Sequence, residues 1–220
     1  LSLHKKLTTL LFMILLVLSM IACTPAEPTP EENPTEDQTP DPGTEQEEGE
    51  QEAPDEQIGA DLPQTIEINL MVEGMEETRT GTLAFGSMGY YLYTLPDFQL
   101  EAEEPNRDVL FFTHDPEFFV RIEAIGNDAD LDFVRKNAEE ELQHMGQVVE
   151  MKGQEIWDEY FRESVFFLHS SQSDFTKNII VKEVEGSLYK FTMHIPNKEA
   201  AEGVTPSLYA MLKTLKNTPE

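Results

Sequence analysis

An α+β domain with a mostly antiparallel sheet is predicted for residues 61–220, and three observations predict it. Apolar and polar residues alternate at Ile66, Ile68, Leu70 and Val72 and again at Phe98, Leu100 and Ala102, the period of strands with one buried face. The period becomes helical in mid-chain, at Leu131, Val134, Ala138, Leu142 and Met145, and near the end, at Leu208, Met211, Leu212 and Leu215. The remaining apolar runs are short, strand-like and bounded by turn residues, with no regular alternation of strand and helix. Strands and helices segregated in this way make an α+β layer structure rather than a parallel α/β one.

Each element has a local cause. After the strand at 66–72, residues 74–77 read as a turn and 78–85 as the hairpin partner. Tyr90 begins an aromatic strand over 90–94, which Pro96 and Asp97 end before the alternation resumes at Phe98. Strands follow at 108–113 and 118–125, separated by the turn sequence His114-Asp115-Pro116. The mid-chain helix is expected over 131–145, introduced by the Asp/Asn cluster at 127–130 and stopped by Gly146. Further strands are expected at 148–152, 155–161, 164–169, 178–184 and 188–195. In the last of these Tyr189, Phe191, Met193 and Ile195 share the face to be buried, and Lys190, Thr192 and His194 share the other. Thr205 and Pro206 suit the N-cap and first position of a C-terminal helix, with Lys213 and Lys216 near its end, where the helix dipole favours cations. A domain of this length buries about 70% of its extended-chain surface, enough to fold without a metal or disulfide.

The order of these elements resembles a known family. Gly89-Tyr90-Tyr91-Leu92-Tyr93 leading into Pro96-Asp97-Phe98, then strands at 109–112 and 118–122 and a helix at 131–145, is similar to the Mog1/PsbP-like fold. That fold recurs in bacterial surface lipoproteins, plant photosystem subunits and a nuclear transport factor. The likeness spans residues 89–216. It implies a binding or assembly module, and since members share no catalytic residues, it implies none here.

The residues before the domain have a different composition. Lys5 and Lys6 precede sixteen residues, 7–22, whose polar members are Thr8, Thr9 and Ser19, which is a secretory signal pattern slightly short for a spanning helix. Its end, Ser19-Met20-Ile21-Ala22-Cys23, resembles the lipobox of bacterial lipoproteins, with Met20 where Leu is usual. The resemblance implies that the Cys23 thiol receives a diacylglyceryl group and that cleavage leaves Cys23 as the mature N-terminus. Two acyl chains on one residue make a stable bilayer anchor where one chain binds marginally. The alternative is an uncleaved spanning helix in which Cys23 has no role.

Residues 24–60 hold thirteen acids, seven prolines and no Lys or Arg, a composition expected to form a disordered tether. A relaxed coil of that length spans roughly 30 to 40 Å, and an extended polyproline form about 115 Å. Thr24 stands where some Gram-negative lipoproteins carry a sorting Asp, which points to the outer face of a Gram-positive cell membrane. The chain as a whole has a formal charge of −28, so nucleic acid is excluded as a natural partner. The expected partners are the membrane, through Cys23, and a protein.

No motif dictates a chemistry. Asp128, Asp130, Asp132 and Glu139 have the spacing of four ligand positions of an EF-hand loop, but Phe133 occupies the position that needs glycine, and the acids suit a helix N-terminus. His114, His144, His169 and His194 fall on separate elements without ligand spacing. Gly86-Ser87-Met88-Gly89 lacks the strand-to-helix elbow of a serine hydrolase, and no Gly-rich loop precedes a helix. No catalytic residue, cofactor or metal ligand is assigned, and no enzyme is expected. What remains is aromatic: Tyr90, Tyr91 and Tyr93, and Trp157, Tyr160 and Phe161, would form a docking surface wherever they are exposed. A binding or assembly module is the leading expectation, ahead of a small-molecule or cation-binding lipoprotein and a hydrolase with dispersed residues.

Overall fold

The computed structural model describes residues 61–219. The signal segment, Cys23 and the acidic stretch at 24–60 lie outside the described residues. Within them, no helix is long and apolar enough to cross a membrane.

The chain opens with a hairpin, β1 (Thr65–Val72) and β2 (Met75–Phe85), whose connection is tighter than the expected one at 74–77. Val72 pairs directly with Met75, leaving only Glu73 and Gly74 to turn, with φ of 51° and 80°. Two successive positive φ angles give the turn the twist that matches the strands it joins. The same Glu-Gly solution recurs at Glu185 and Gly186, between β9 (Phe175–Val184) and β10 (Ser187–Pro196). Between these hairpins lie β3 (Tyr90–Thr94), β4 (Phe98–Glu104), β5 (Arg107–Phe112), β6 (Phe119–Ala124), helix α1 (Leu131–Gln143), β7 (Val149–Glu150) and β8 (Phe166–Ser171). Helix α2 (Ala201–Leu212) and β11 (Lys216–Asn217) end the domain.

All strand pairings are antiparallel, and they form two sheets, of four strands in the order β1-β2-β3-β11 and of seven in the order β4-β5-β6-β10-β9-β8-β7. The predicted α+β class with a mid-chain and a C-terminal helix is therefore observed. One face of the large sheet presents Phe167, Ile180, Tyr189, Phe191, Met193 and Ile195 to the small sheet and α2. The other presents Phe166, Leu168, Ile179 and Val181 to Ala138 and Leu142 of α1.

Three elements differ most from expectation, and helix α2 also stops at Leu212, so that Leu215 falls outside it and Lys216 belongs to β11. Residues 155–161 form no strand; two short 3₁₀ turns, Gly153–Glu155 and Glu159–Glu163, flank a link at 156–158 that holds Trp157. Local hydrogen bonds hold them, the Glu155 carboxylate accepting from Lys152 N–H at 3.0 Å and Asp158 accepting from Tyr160 N–H at 3.0 Å, and such side-chain caps compete with strand pairing. Helix α2 starts at Ala201, one turn before the expected cap, and Pro206 lies inside it. Pro206 has no N–H to give the carbonyl of Glu202, an exposed residue one turn before it. Helix α1 ends at Gln143, with His144 as its cap, before Gly146.

The core buries phenols. Burial and the neighbouring Asp108 carboxylate push the Tyr90 hydroxyl well above its ordinary value, burial and Glu185 push Tyr189 up to about 12, and burial raises Tyr209. The unfolded chain releases these protons near pH 10 and the folded chain only above it, so the unfolded state holds fewer protons in that window and stability falls as pH rises. Denaturant unfolding is expected to give a constant free energy from about pH 8 to about 9.5 and a steep loss by about pH 11. A flat profile through that window would show that the phenols are not buried as described.

Candidate binding surface

Of the two aromatic groups, the first is wholly buried, and the second is divided: Phe161 is buried, Tyr160 half-buried and Trp157 exposed. Tyr90, Tyr91 and Tyr93 are buried between the layers, whereas Trp157 is 58% exposed. Trp157 is the chain's only tryptophan and sits between two anchors, Ile156 and Phe161, whose side chains are buried. The Phe161 ring lies 5.1 Å from Tyr209 of α2 and 6.3 Å from Phe191 of β10, in edge-on contacts. The Arg162 guanidinium donates from Nε to the Ile156 carbonyl at 3.1 Å, and the Asp158 carboxylate, beside Trp157, meets Lys213 Nζ at 2.8 Å. With both flanks held, the indole is presented outward in a set position.

Trp157 borders two grooves. On one side, Ile195 of β10 and Ala201, Thr205, Pro206 and Tyr209 of α2 form an apolar hollow of about 440 Å³. Asn178 lies at its base, donating from Nδ2 to the Tyr209 hydroxyl at 3.2 Å, while its Oδ1 meets His169 Nδ1 at 2.8 Å. On the other side a groove of about 810 Å³ runs beside Asn69 and Met71 of β1 to Arg162 and Lys213. Met71, also exposed, carries the apolar surface onto the small sheet. The α2 stripe was hidden from sequence reading because the helix begins earlier than its Thr-Pro pair suggests; with the start at Ala201, positions 201, 205 and 209 fall on one face.

The other singled-out residues do not converge. Asp130 caps α1, accepting from Asp132 and Phe133 N–H at 3.1 Å, and Glu139 faces Arg135 one turn away at 3.8 Å, so the EF-hand spacing resolves into a helix start. His114 meets Asp97 at 3.1 Å, and His194 Nδ1 meets the Glu117 carbonyl at 2.7 Å, far along the chain from His169. Among the described residues, no three His, Cys, Asp or Glu side chains are placed to hold a metal ion. Ser87 does acquire a partner that sequence reading missed. Its Oγ donates to Asp108 Oδ1 at 2.6 Å and its N–H to Oδ2 at 2.9 Å, at the mouth of a cleft of about 530 Å³. The titratable groups that line the cleft are the carboxylates of Asp108 and Glu101. The Ser87–Asp108 pair holds the β2–β3 loop, with Gly86 against the ring of buried Tyr90, where any side chain would collide.

The geometry separates surface from core in a measurable way. Trp157→Ala is expected to change the unfolding free energy by less than about 1 kcal/mol, since most of the indole already faces water. Phe161→Ala empties a fully buried site and is expected to cost about 3–5 kcal/mol. Urea denaturation of both variants is the check, and equal losses would mean that Trp157 is a core residue.

Two solved structures share a distant likeness. A protein from Bacteroides thetaiotaomicron VPI-5482 aligns with a TM-score of 0.34 at 11% identity, over 60% of this chain and 46% of its own. LpqN of Mycobacterium tuberculosis, described as involved in cell envelope biogenesis, aligns with a TM-score of 0.34 at 15% identity, over 63% of this chain and 90% of its own. This chain thus spans less than half of the Bacteroides protein, and likenesses this weak do not bear on function. No curated protein matches. Residues 62–216 match the family described as "Domain of unknown function (DUF8580)", and the chain belongs to that family.

Proposed function

We propose that this protein is a lipid-anchored extracytoplasmic lipoprotein with a Mog1/PsbP-like binding or assembly module, and that the module docks a protein partner on the surface around Trp157. The observation that carries the docking assignment is the exposure of Trp157, held between buried anchors in a domain that buries its tyrosine strand. Large aromatics presented rigidly at a surface lose little entropy on binding and supply much of the energy where interfaces concentrate it. The anchor rests on Ser19 to Cys23, the lipobox-like end of an apolar segment that gives way at once to acidic, Pro-rich sequence. With Thr24 after the cysteine, the outer face of a Gram-positive cell membrane is the proposed location.

A second reading has its own observation. The hollow of about 440 Å³ between Trp157 and α2 has the size of a small-molecule site and mostly apolar walls, with the Asn178–Tyr209 pair and Glu202 as its main polar groups. An apolar ligand there would blue-shift the emission of the single tryptophan.

Two substitutions test the main reading. Cys23→Ala is expected to move the protein from the membrane fraction to the medium with its domain still folded, and retention at the membrane would remove the anchor. Trp157→Ala is expected to keep the anchor and the fold but to lose the protein that cross-links to the wild-type chain in intact membranes. An unchanged cross-linked partner would place docking elsewhere on the domain.

A further inference from the structure

The two sheets have four outer edges, and three of them carry features that discourage a further strand. Strands β7 and β11 are two residues each. Strand β4 carries Glu101, Glu103 and Glu104 and a register shift between Ala102 and Glu104. Strand β1 has none of these features. It runs eight residues, TIEINLMV, with Glu67 its only charge, no proline and an unbroken register with β2.

The register also shows which of its backbone groups are free. A two-residue turn makes Val72 and Met75 a hydrogen-bonded pair, so Leu70, Ile68 and Ile66 also bond β2. The bond from Leu83 N–H to the Gln64 carbonyl, 2.9 Å, continues the same parity. Thr65, Glu67, Asn69 and Met71 therefore aim N–H and C=O away from β2, and no backbone group among the described residues meets them.

We propose that the free edge of β1 receives an extended peptide segment of a partner protein as an added strand, and that this segment alternates apolar with basic residues. The proposal rests on reading the domain as a binding module and names the chemistry of its partner. An added strand would run along the groove of about 810 Å³ between Asn69–Met71 and Trp157. One row of its side chains would lie beside Glu67 and Asn69, near Glu76 across the hairpin, which suits Lys or Arg; the other row would lie beside Ile66, Ile68 and Leu70, which suits apolar residues. Charge selects the source. Residues 61–220 carry thirty acids against thirteen bases, and residues 24–60 carry thirteen acids and no cation. A second copy of the domain, or the chain's own acidic segment, would bring like charge to this edge, and a basic segment of another protein complements it.

The probe is an end-blocked octapeptide, (Val-Lys)4, titrated into the full chain in detergent micelles and followed by calorimetry and by Trp157 emission. One-to-one saturable binding is expected, with none for (Val-Glu)4 and none for (Val-Lys)4 N-methylated at every residue, which lacks the strand's donors. Met71→Pro removes an outward N–H without touching the β2 ladder and is expected to weaken binding by about tenfold or more. Met71→Thr keeps that N–H and should bind within about threefold of the wild type. Absence of saturable binding, undiminished binding of the N-methylated peptide, or equal affinity of Met71→Pro would each overturn the proposal. Loss of binding in Trp157→Ala with full retention in Met71→Pro would also overturn it, while leaving Trp157 as the docking surface. Self-association of the wild-type chain that Met71→Pro abolishes would name a second copy as the occupant and overturn the peptide.

Discussion

Strand β9 has apolar residues on both faces, and neither face can be left to water. Ile179 and Val181 point one way and Ile180 and Val184 the other, all buried. An antiparallel strand of a two-layer structure needs cover on one side only. Here the seven-stranded sheet needs two layers, and the rest of the fold supplies them: α1 on one side, the small sheet with α2 on the other. The polar residues of β9 that share this burial are provided for individually. Asn178 bonds Tyr209 and His169, and Lys182 lies with Nζ 4.4 Å over the ring of Tyr160, its charge disfavoured by burial and supported by Glu163.

That three-layer requirement creates the surface around Trp157. Between β7 and β8 the chain must pass the end of α2, and it does so in two short 3₁₀ turns and the link between them, whose buried residues are Ile156 and Phe161. Phe161 fills the space among Tyr209, Phe191 and Tyr160. Trp157, four residues earlier, has nothing left to cover it. The same packing that stabilises the segment thus exposes its largest side chain, with grooves lined by α2 and by β1 beside it.

Charge is arranged by the same layers. The described cations are largely engaged: Arg121 meets Glu103 through two bonds of 2.6 Å, Lys190 meets Glu123 at 3.0 Å, Lys177 meets Glu141 at 2.9 Å, and Lys198 lies 2.6 Å from both Asp115 and Glu117. Exposed pairs of this kind add little stability each. Their consequence is that the unpaired excess on the surface is almost entirely acidic, which keeps like-charged copies apart and favours basic partners.

Much of this was legible in the residues. The period-2 pattern of β1, the buried face of β10 from Tyr189 to Ile195, the Asp130 start of α1 and the change of composition after Cys23 are local or one-dimensional signals, and each carries its meaning in adjacent side chains. The segment around Trp157 was misread as a strand because alternation alone cannot see Asp158 and Glu155 capping their own backbone. The start of α2 lies one turn earlier than Thr205-Pro206 suggests, because that pair satisfies a helix start locally while the helix begins at Ala201 with the proline inside it. Ser87 and Asp108 are twenty-one residues apart and meet only when the β2–β3 loop of the small sheet lies against β5 of the large one. The sequence by itself determined the class of fold, its strongly acidic character and the lipobox-like Cys23. Only the tertiary structure decided which aromatics face water and which strand edge stays open, because exposure is what remains after distant elements have covered one another, and no local pattern records that remainder.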